Sequence, residues 1–410
     1  MITFRDYQID IIVKGCEIIQ EHGFVYLAME VRTGKTLTSL GIANRLTDVK
    51  RVLFITKKKA ISSIEADYDL LEPYFDMDVI NYESLHHYSE NQYDLVICDE
   101  AHSMSSYPKP SKRAKDVKNI LKKNNPYVIL LSGTPTPESY SQMYHQVYGI
   151  KNNPFSEYKN FYRFCDDYVN VTSRPINGMH IKDYSKGRDE IIEKMKAYTI
   201  SFTQKEAGFS TQTNENVLMV KMLDSTYALA KRLKKDLVVQ GKDEVILADT
   251  PVKLMMKLHQ IFSGTIKFES GNGMVLDTSK AEFIASHFEN KKLGIFYKFK
   301  QELECLKQVF GDELTTELSE FDSGSHQVIA LQIVSGREGI SLRNADYIVF
   351  YNIDFSATSY WQAKDRMTTK ERLNNDVYWV FSEGGIEKEI YKAVTKKKDY
   401  TIRHFKNDFN

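Results

Sequence analysis

Eight short apolar segments, in two sets of four, constrain the fold of this chain more than any other feature. Helix-like sequence separates the segments within each set, and a long stretch of mixed character separates the two sets. Alternating strands and helices are typical of parallel sheets that helices cover on both faces. The pattern therefore predicts an α/β chain with two lobes, each built on a parallel sheet. The expected strands are Phe24–Met29, Val52–Thr56, Asp94–Cys98 and Tyr127–Leu131 in the first set, and Leu293–Tyr297, Val328–Val334, Tyr347–Tyr351 and Val377–Phe381 in the second.

The boundaries of the two lobes follow from the stretch that separates the two sets. Residues 141–285 are rich in Tyr, Phe, Lys and Asp, and their periodicity is mixed. The pattern predicts amphipathic helices over Ser225–Gln240 and Pro251–Phe262, and a hairpin that turns at 271–273. We therefore expect a first lobe over residues 1–140, a partly helical connector or insertion over residues 141–278, and a second lobe over residues 279–410 with a basic tail.

Composition excludes several classes of protein. With 42% hydrophobic and 27% charged residues, the chain has globular rather than fibrous or disordered character. Its 55 basic and 55 acidic residues balance, so any nucleic-acid surface must be local. The sequence shows neither an apolar run of about 20 residues, which a membrane helix requires, nor a signal peptide. Its four widely spaced cysteines argue against a disulfide framework and a zinc site, and they fit a reducing cytoplasm.

A strand that leads into Gly-Lys-Thr is the strongest local motif. The strand ends at Met29, and Gly34, Lys35 and Thr36 open a helix after a short loop. A bound triphosphate needs backbone N–H groups at a helix N-terminus, an ammonium group, and a hydroxyl for Mg²⁺. We expect Gly34 to allow close approach, Lys35 to span the β- and γ-phosphates, and Thr36 to ligate the metal. Chance occurrence is the alternative, because Met29 replaces the first glycine of the full pattern and the bulky Arg32 lies in the loop.

Two adjacent carboxylates follow the strand Asp94–Cys98. Asp99 and Glu100 would lie at the carboxyl edge of the sheet, where α/β proteins bind their ligands. We expect Asp99 to hold Mg²⁺ and Glu100 to polarise the attacking water, whereas a solvated acidic turn is the alternative. The strand after it ends in Ser132-Gly133-Thr134, whose hydroxyls either hydrogen-bond these carboxylates or belong to an ordinary turn.

Seven motifs in a fixed order connect the chain to one family. They are FRDYQ (4–8), RTGKT (32–36), DEAH (99–102), SGTPTP (132–137), GIFYKF (294–299), SGREGISL (335–342) and QAKDRM (362–367). In these motifs the chain resembles the superfamily-2 DExH/D-box helicases and translocases, above all their Swi/Snf-like branch, and is similar to compact phage-encoded DNA helicases. The resemblance implies two RecA-like lobes around an ATP cleft. It covers both lobes, but matches the region between them only loosely.

The resemblance also implies roles for individual residues. Gln8 matches the glutamine that reads the adenine edge, and Arg5 lies beside it. ATP and Mg²⁺ are the implied cofactors. By this resemblance, ATP is bound by Arg5, Gln8, Thr33, Gly34, Lys35, Thr36, Gly339 and Arg366, Mg²⁺ is held by Thr36 and Asp99, and catalysis is carried by Lys35, Asp99, Glu100, Gln362 and Arg366.

One motif of the second lobe departs from the family pattern. Gln362 and Arg366 match the motif that reaches across the cleft to the γ-phosphate. A cation at that position stabilises the charge of the transferred phosphoryl group, an effect of roughly 10³–10⁵ in rate in related NTPases. The family usually has a second arginine three residues later, where this chain has Thr369. Either Lys370 or Arg372 replaces it, or Arg366 acts alone.

Candidate nucleic-acid contacts lie at the ends of strands in both lobes. By the resemblance, one strand crosses the tops of both lobes and contacts Thr56 and Lys57 in the first lobe and Ser335, Gly336 and Arg337 in the second. Hydroxyls, backbone N–H groups and cations suit phosphate binding without sequence readout. An ordinary loop role is the alternative for each of these residues.

Two further segments have two interpretations each. The segment Lys109–Lys123 contains seven basic residues and one acid, which indicates either a solvated helix face or a patch that faces duplex DNA. Aromatic residues at near-helical spacing form either the core side of a helix or a base-stacking platform. They are Phe155, Tyr158, Phe161, Tyr162 and Phe164.

Together the motifs predict an ATP-dependent DNA helicase or translocase. Such an enzyme hydrolyses ATP to move along or unwind DNA in replication, recombination or repair. DNA is favoured over RNA because the resemblance is to the Swi/Snf-like branch, and we expect a monomeric motor without membrane contact. Two alternatives remain: a translocase or remodeller of duplex DNA that does not separate the strands, and an ATP-gated nucleic-acid clamp with little turnover.

Overall fold

The chain forms two compact units, Met1–Phe209 and Ser210–Asn410. Within the described residues, each unit contains one six-stranded sheet whose neighbouring strands all run parallel. This arrangement confirms the predicted α/β class with two RecA-like lobes. Residues 141–278, expected as a connector, are divided between the two units. The computed structural model describes residues 3–88, 90–137, 139–176, 179–209, 212–333, 342–356, 360 and 374–396.

The first unit consists of a sheet with helices on both faces and a small separate hairpin. Its strands are Phe24–Met29 (β1), Arg51–Thr56 (β2), Asp76–Asn81 (β3), Leu95–Cys98 (β4), Tyr127–Leu131 (β5), the hairpin Thr172–Ile176 (β6) and Met179–Asp183 (β7), and Thr199–Phe202 (β8). Its helices are Asp6–His22 (α1), Lys35–Arg45 (α2), Ile61–Leu71 (α3), Lys112–Leu121 (α4), Met143–Gln146 (α5), Phe161–Tyr168 (α6) and Glu190–Met195 (α7). Short 3₁₀ helices span Lys58–Ala60, Tyr82–His87, Ala101–Met104, Tyr140–Gln142 and Lys196–Tyr198.

The order of the strands in the first sheet is β3–β2–β4–β5–β1–β8. Successive side chains of the inner strands enter two different cores, one with α1, α2 and α3 and the other with α4, α5 and α6. Burial on both faces explains why these strands are almost wholly apolar. Because the strands are parallel, the residues that follow β1, β2, β4 and β5 lie along the same edge of the sheet.

The second unit repeats this plan. Its sheet has the order β15–β16–β14–β17–β18–β9 in the numbering below. The strands are Gln212–Val220 (β9), Val238–Gln240 (β10), Val245–Leu247 (β11), Thr265–Lys267 (β12), Gly273–Val275 (β13), Leu293–Tyr297 (β14), Leu314–Thr315 (β15), Val328–Gln332 (β16), Tyr347–Phe350 (β17) and Asn374–Ser382 (β18). The helices are Asp224–Asp236 (α8), Pro251–Phe262 (α9), Ser279–His287 (α10), Lys300–Phe310 (α11), Leu318–Ser323 (α12) and Glu387–Val394 (α13), with a 3₁₀ helix at Gly311–Glu313.

The region between the expected lobes contains both predicted and unpredicted elements. Helix α9 and the β12–β13 hairpin occur where the sequence predicts them. Helix α8 ends at Asp236, short of the predicted Gln240, because Leu237 takes a left-handed conformation and β10 then pairs with β11. Among the described residues, no helix has the length and apolar character that crossing a bilayer requires.

The aromatic segment around α6 contributes to the core of the first unit. Phe155, Phe161 and Phe164 are buried in the core that also contains β4 and β5. Tyr158 packs against this core, and Tyr162 is 49% exposed. The structure therefore favours the core interpretation over a stacking platform for at least the three phenylalanines.

Candidate nucleotide-binding site

The loop between β1 and α2 has a backbone that requires glycine at one position. Gly34 has a φ of 81° and precedes the first residue of α2. A Cβ atom at this position would lie 2.6 Å from Nε2 of Gln8. The hydroxyl of the buried Thr33 donates to the carbonyl of Glu30 at 2.7 Å, which closes the loop on itself. No side chain caps α2, so its first N–H groups are suited to bind an anion such as a phosphate.

The N-terminal segment packs directly on this loop. The buried Gln8 side chain donates from Nε2 to the carbonyl of Gly34 at 3.4 Å and to Oγ1 of Thr38 at 3.2 Å. Its Oε1 accepts from the backbone N–H of Arg5 at 3.1 Å. The Arg5 guanidinium donates to the Tyr7 hydroxyl at 2.9 Å, and that hydroxyl donates to a carbonyl of the loop at 3.2 Å. The structure therefore brings the predicted adenine-binding residues into contact with the predicted phosphate loop.

A segment far along the chain holds the other side of the loop. After β8, the backbone N–H of Gln204 donates to the Glu30 carboxylate at 2.7 Å, and its Nε2 donates to the carbonyl of Val31 at 3.0 Å. The backbone of Glu30 also donates to the carbonyl of Phe202 at 2.9 Å. Sequence reasoning missed Gln204, because nothing in its local pattern shows that β8 lies beside β1.

The carboxylate of Asp99 lies at the carboxyl edge of the same sheet. The buried Thr56 hydroxyl donates to it at 2.8 Å, and the Tyr82 hydroxyl donates to the backbone carbonyl of Asp99 at 2.7 Å. Burial and the neighbouring Glu100 carboxylate raise the pKa of Asp99 to about 6, while the Lys35 ammonium and the Thr56 hydrogen bond act in the opposite direction. Because β1 and β4 both flank β5 in a parallel sheet, the elements that carry Lys35 and Asp99 begin at the same edge of the sheet.

A short chain of contacts joins Glu100 to the end of β5. Glu100 has a φ of 49°, and its Oε2 lies 3.2 Å from Nδ1 of His102. That nitrogen also lies 2.9 Å from Oγ of Ser132, which accepts from the backbone N–H of Thr134 at 3.1 Å. A Cβ atom on Gly133 would lie 3.4 Å from a carbonyl oxygen at the end of β1. The Ser132 hydroxyl after β5 thus reaches Glu100 through His102, a residue for which the sequence pattern predicts no separate role.

The residues of this site are suited to bind a nucleoside triphosphate with Mg²⁺. Among the described residues, no group of three or more His, Cys, Asp or Glu side chains gathers into a metal site. Mg²⁺ at Asp99 would therefore take most of its ligands from phosphates and water, which is usual for this ion. Thr36, in the first turn of α2, offers the expected hydroxyl ligand. The glycine-dependent loop, the ammonium of Lys35 and the carboxylate of Asp99 are together suited to bind Mg²⁺ and a triphosphate.

Of the other predicted site residues, the structure describes those of the first unit but not those of the later motifs. Thr56, expected to contact nucleic acid, is buried with its hydroxyl on Asp99, whereas the next residue, Lys57, is half-buried before the 3₁₀ helix Lys58–Ala60. The predicted residues of the later motifs lie outside the described part of the chain. They are Ser335, Gly336, Arg337, Gly339, Gln362 and Arg366, together with Thr369.

The motif at 294–299 belongs to the carboxyl edge of the second sheet. Lys298, directly after β14, forms an ion pair with Asp354 at 2.6 Å. Beside it, the Asn352 amide donates to the buried Glu302 carboxylate at 2.5 Å, and Nε2 of the buried His259 lies 2.6 Å from Oδ1 of the same amide. This edge therefore carries a network of polar and charged side chains.

Comparison with known proteins identifies the family. Residues 51–264, slightly more than half of the chain, match the SNF2-related domain, and the chain belongs to this family. The match contains Asp99 and Glu100 and begins after the phosphate loop. Membership implies ATP hydrolysis and use of ATP with Mg²⁺. The expected Swi/Snf-like relationship is thereby confirmed.

Three solved structures are similar to the chain. The Sulfolobus solfataricus SWI2/SNF2 ATPase core in complex with dsDNA is 17% identical, with a TM-score of 0.44, and the alignment covers 100% of this chain and 93% of that chain. The Sulfolobus solfataricus SWI2/SNF2 ATPase core domain is 16% identical, with a TM-score of 0.44 and coverage of 97% and 89%. The Pyrococcus furiosus Hef helicase domain is 14% identical, with a TM-score of 0.54 and coverage of 95% and 97%, and this likeness supports the fold.

Proposed function

We propose that the chain is an ATP-driven motor that translocates along duplex DNA without separating its strands. The observation that carries the proposal is the placement of Lys35 after β1 and Asp99 after β4, at one edge of a parallel sheet, in a chain of the SNF2-related family. A phosphate-binding lysine beside a metal-binding carboxylate is the minimal arrangement for phosphoryl transfer from ATP to water. The Swi/Snf-like character of the motifs supports DNA as the track.

Each residue of the site has a role in this proposal. Lys35 and the N-terminus of α2 bind the phosphates, and Thr36 and Asp99 hold Mg²⁺. Glu100 accepts a proton from the attacking water while the terminal phosphoryl group leaves ADP as inorganic phosphate. Gln8 reads the adenine edge. In the second unit, Gly339 is expected at the nucleotide, and Gln362 and Arg366 stabilise the γ-phosphate.

The DNA contacts are a separate part of the proposal. We assign phosphate contacts to Lys57 in the first unit and to Ser335, Gly336 and Arg337 in the second. Backbone N–H groups, hydroxyls and cations at strand ends bind phosphates without reading bases, which suits a motor that moves over any sequence. Similarity to compact phage-encoded helicases supports a setting in the cytoplasm of a bacterial or phage-infected cell.

Steady-state ATP hydrolysis tests the motor. The rate is measured without nucleic acid and with single-stranded DNA, blunt duplex, forked DNA and RNA at equal nucleotide concentrations. We expect stimulation by DNA, with blunt duplex at least as effective as single strands. Slow hydrolysis that no nucleic acid stimulates would instead support an ATP-gated clamp.

A pair of displacement assays tests the output. A triplex-forming strand is displaced by any motor that moves along duplex DNA, whereas a forked substrate releases a strand only if the motor unwinds. We expect ATP-dependent triplex displacement without release of a strand from the fork. Strand release from the fork would favour the helicase alternative.

A further inference from the structure

Three adjoining cavities form a trench on the first unit, away from the nucleotide site. Their volumes are about 140, 280 and 210 Å³. Tyr148 and Lys159 line the first two, and Ile150 and Lys151 line the last two, so each cavity continues into the next. The last cavity is lined by residues at the start of β1 and β5. It therefore lies toward the edge of the sheet opposite to the phosphate loop.

Most of the charged side chains that line the trench are cationic. Lys109, Lys118, Lys151 and Lys159 line it, and we call this surface the lysine trench. Among the residues that line the three cavities, Glu21, in the last cavity, is the single carboxylate. Three of the four lysines are exposed, while Nζ of Lys118 lies 3.6 Å from the ring centroid of Tyr148. A cation–π contact of this kind holds the ammonium in place and leaves its charge uncompensated by an anion.

Helix α4 and the residue after it add further exposed lysines to this side of the first unit. Lys112, Lys115 and Lys122 are exposed, at helical positions that share a side with Lys118. The neighbouring cations Arg113 and Lys123 form ion pairs with glutamates at 2.5 and 2.9 Å. Of the basic residues in this segment, Lys109 and Lys118 line the trench, whereas Arg113 and Lys123 are paired with glutamates.

A row of separated lysines along an open trench suits a repeating phosphate backbone. The chain has zero net charge, so this concentration of cations does not follow from its composition. Lysine binds phosphate as a flexible point charge and does not need the fixed geometry with which arginine recognises carboxylates. We infer that the lysine trench, with the exposed side of α4, is a second binding surface for the phosphates of duplex DNA. The inference rests on the proposed function and concerns a surface separate from the contacts at the sheet edges.

Charge reversal of the trench tests this inference. The variant Lys109→Glu/Lys151→Glu/Lys159→Glu changes three exposed lysines, and Lys14→Glu/Lys50→Glu/Lys194→Glu changes the net charge equally at exposed lysines elsewhere on the first unit. Binding of a labelled blunt duplex is followed by fluorescence anisotropy as salt is raised. We expect the trench variant to bind at least about tenfold more weakly at low salt, with a log–log salt slope smaller by about 2 to 3. The control variant should stay close to the unsubstituted chain.

Hydrolysis without DNA separates this effect from damage to the motor. Both variants should keep the unstimulated ATPase rate, and the milder Lys→Gln changes at the three trench positions should weaken binding in the same direction. Equal loss of affinity in the trench and control variants would overturn the inference, as would loss restricted to single-stranded DNA. If the unsubstituted chain shows no DNA stimulation at all, the proposed function fails; if stimulation is intact and the trench variant binds normally, only the trench fails.

Discussion

Lys35 and Asp99 come from elements that are distant in sequence and meet through the parallel order of the first sheet. The lysine opens α2 after β1, and the carboxylate follows β4, with β5 between these two strands. Glu100 stands beside the carboxylate but takes a left-handed backbone conformation. In the proposed reaction these three side chains have different tasks. Single substitutions can distinguish the tasks.

Lys35→Ala and Glu100→Gln should fail at different steps. Removal of the ammonium should weaken ATP binding, because the β- and γ-phosphates lose their cation. The glutamine cannot accept a proton from water, so this variant should bind ATP normally and hydrolyse it at least about 100-fold more slowly. Nucleotide binding by a fluorescent ATP analogue and steady-state hydrolysis give the two readouts. Equal loss of ATP binding in both variants would contradict the assigned roles.

Gly34→Ala should weaken ATP binding, whereas Gly23→Ala should not. Both glycines are left-handed, with φ of 81° and 82°, so alanine costs about 1–2 kcal/mol at either position. At Gly34 the new methyl group would also press on the Gln8 amide, whereas at Gly23 it would meet no atom within 4 Å. We expect comparable losses in urea unfolding but weaker ATP binding only for Gly34→Ala. Normal ATP binding by that variant would show that the close approach does not matter.

Sequence alone could identify only the part of the site that consists of local motifs. Lys35, Asp99 and Glu100 follow apolar strands in short patterns, which is why the structure places them along an edge that the sequence predicts. Thr56 was expected at a nucleic-acid surface, since its position after a strand does not reveal that its hydroxyl donates to Asp99. Gln204 depends on the pairing of β8 with β1, a long-range contact that local composition does not encode.

At the scale of elements, the sequence predicted the inner strands of both sheets and missed the edges. Strands β1, β2, β4 and β5 and strands β14, β16, β17 and β18 agree with the eight apolar segments within a few residues. The edge strands β3, β8, β9 and β15 lack such segments, because one side of an edge strand has no partner and its faces are less completely buried. In β9, for example, Val217 and Met219 are each 40% exposed.

The segment after β8 should affect nucleotide affinity through the loop it holds. Gln204→Ala removes the side-chain hydrogen bond to Val31 but keeps the backbone bond to Glu30. Loss of about 1 kcal/mol of loop stabilisation should raise the KM for ATP about fivefold and leave kcat nearly unchanged. Gln20→Ala, at an exposed position of α1, is the matched control. A KM equal to that of the control would mean that this contact does not position the loop.

At the scale of the whole molecule, each unit contains a buried histidine that should make the folded state less stable as the pH becomes acidic. Burial lowers the pKa of His145 in the first unit to about 4 and holds that of His259 in the second well below its usual value. Between pH 6.5 and 4 the unfolded chain therefore binds more protons at these residues than the folded chain. By linkage, their contribution to the free energy of unfolding falls as the pH falls through this window.

A variant can isolate this contribution from the carboxylates that titrate nearby. His145→Gln should remove about 3 kcal/mol of the difference in unfolding free energy between pH 7 and pH 4. His86→Gln, at an exposed position of the first unit, is the matched control. Urea unfolding of the full chain, followed by circular dichroism at several pH values, gives the comparison. An identical pH profile for both variants would contradict the burial of a neutral imidazole at His145.

The turn after β8 also has a mechanical consequence. Its residue Gln204 contacts the phosphate loop, and the carbonyl of the same residue accepts from the backbone N–H of Phe209 at 2.9 Å. Phe209 is the residue at which the chain leaves the first unit. A displacement of Phe209 is therefore expected to act on Gln204, the residue whose side chain contacts the phosphate loop.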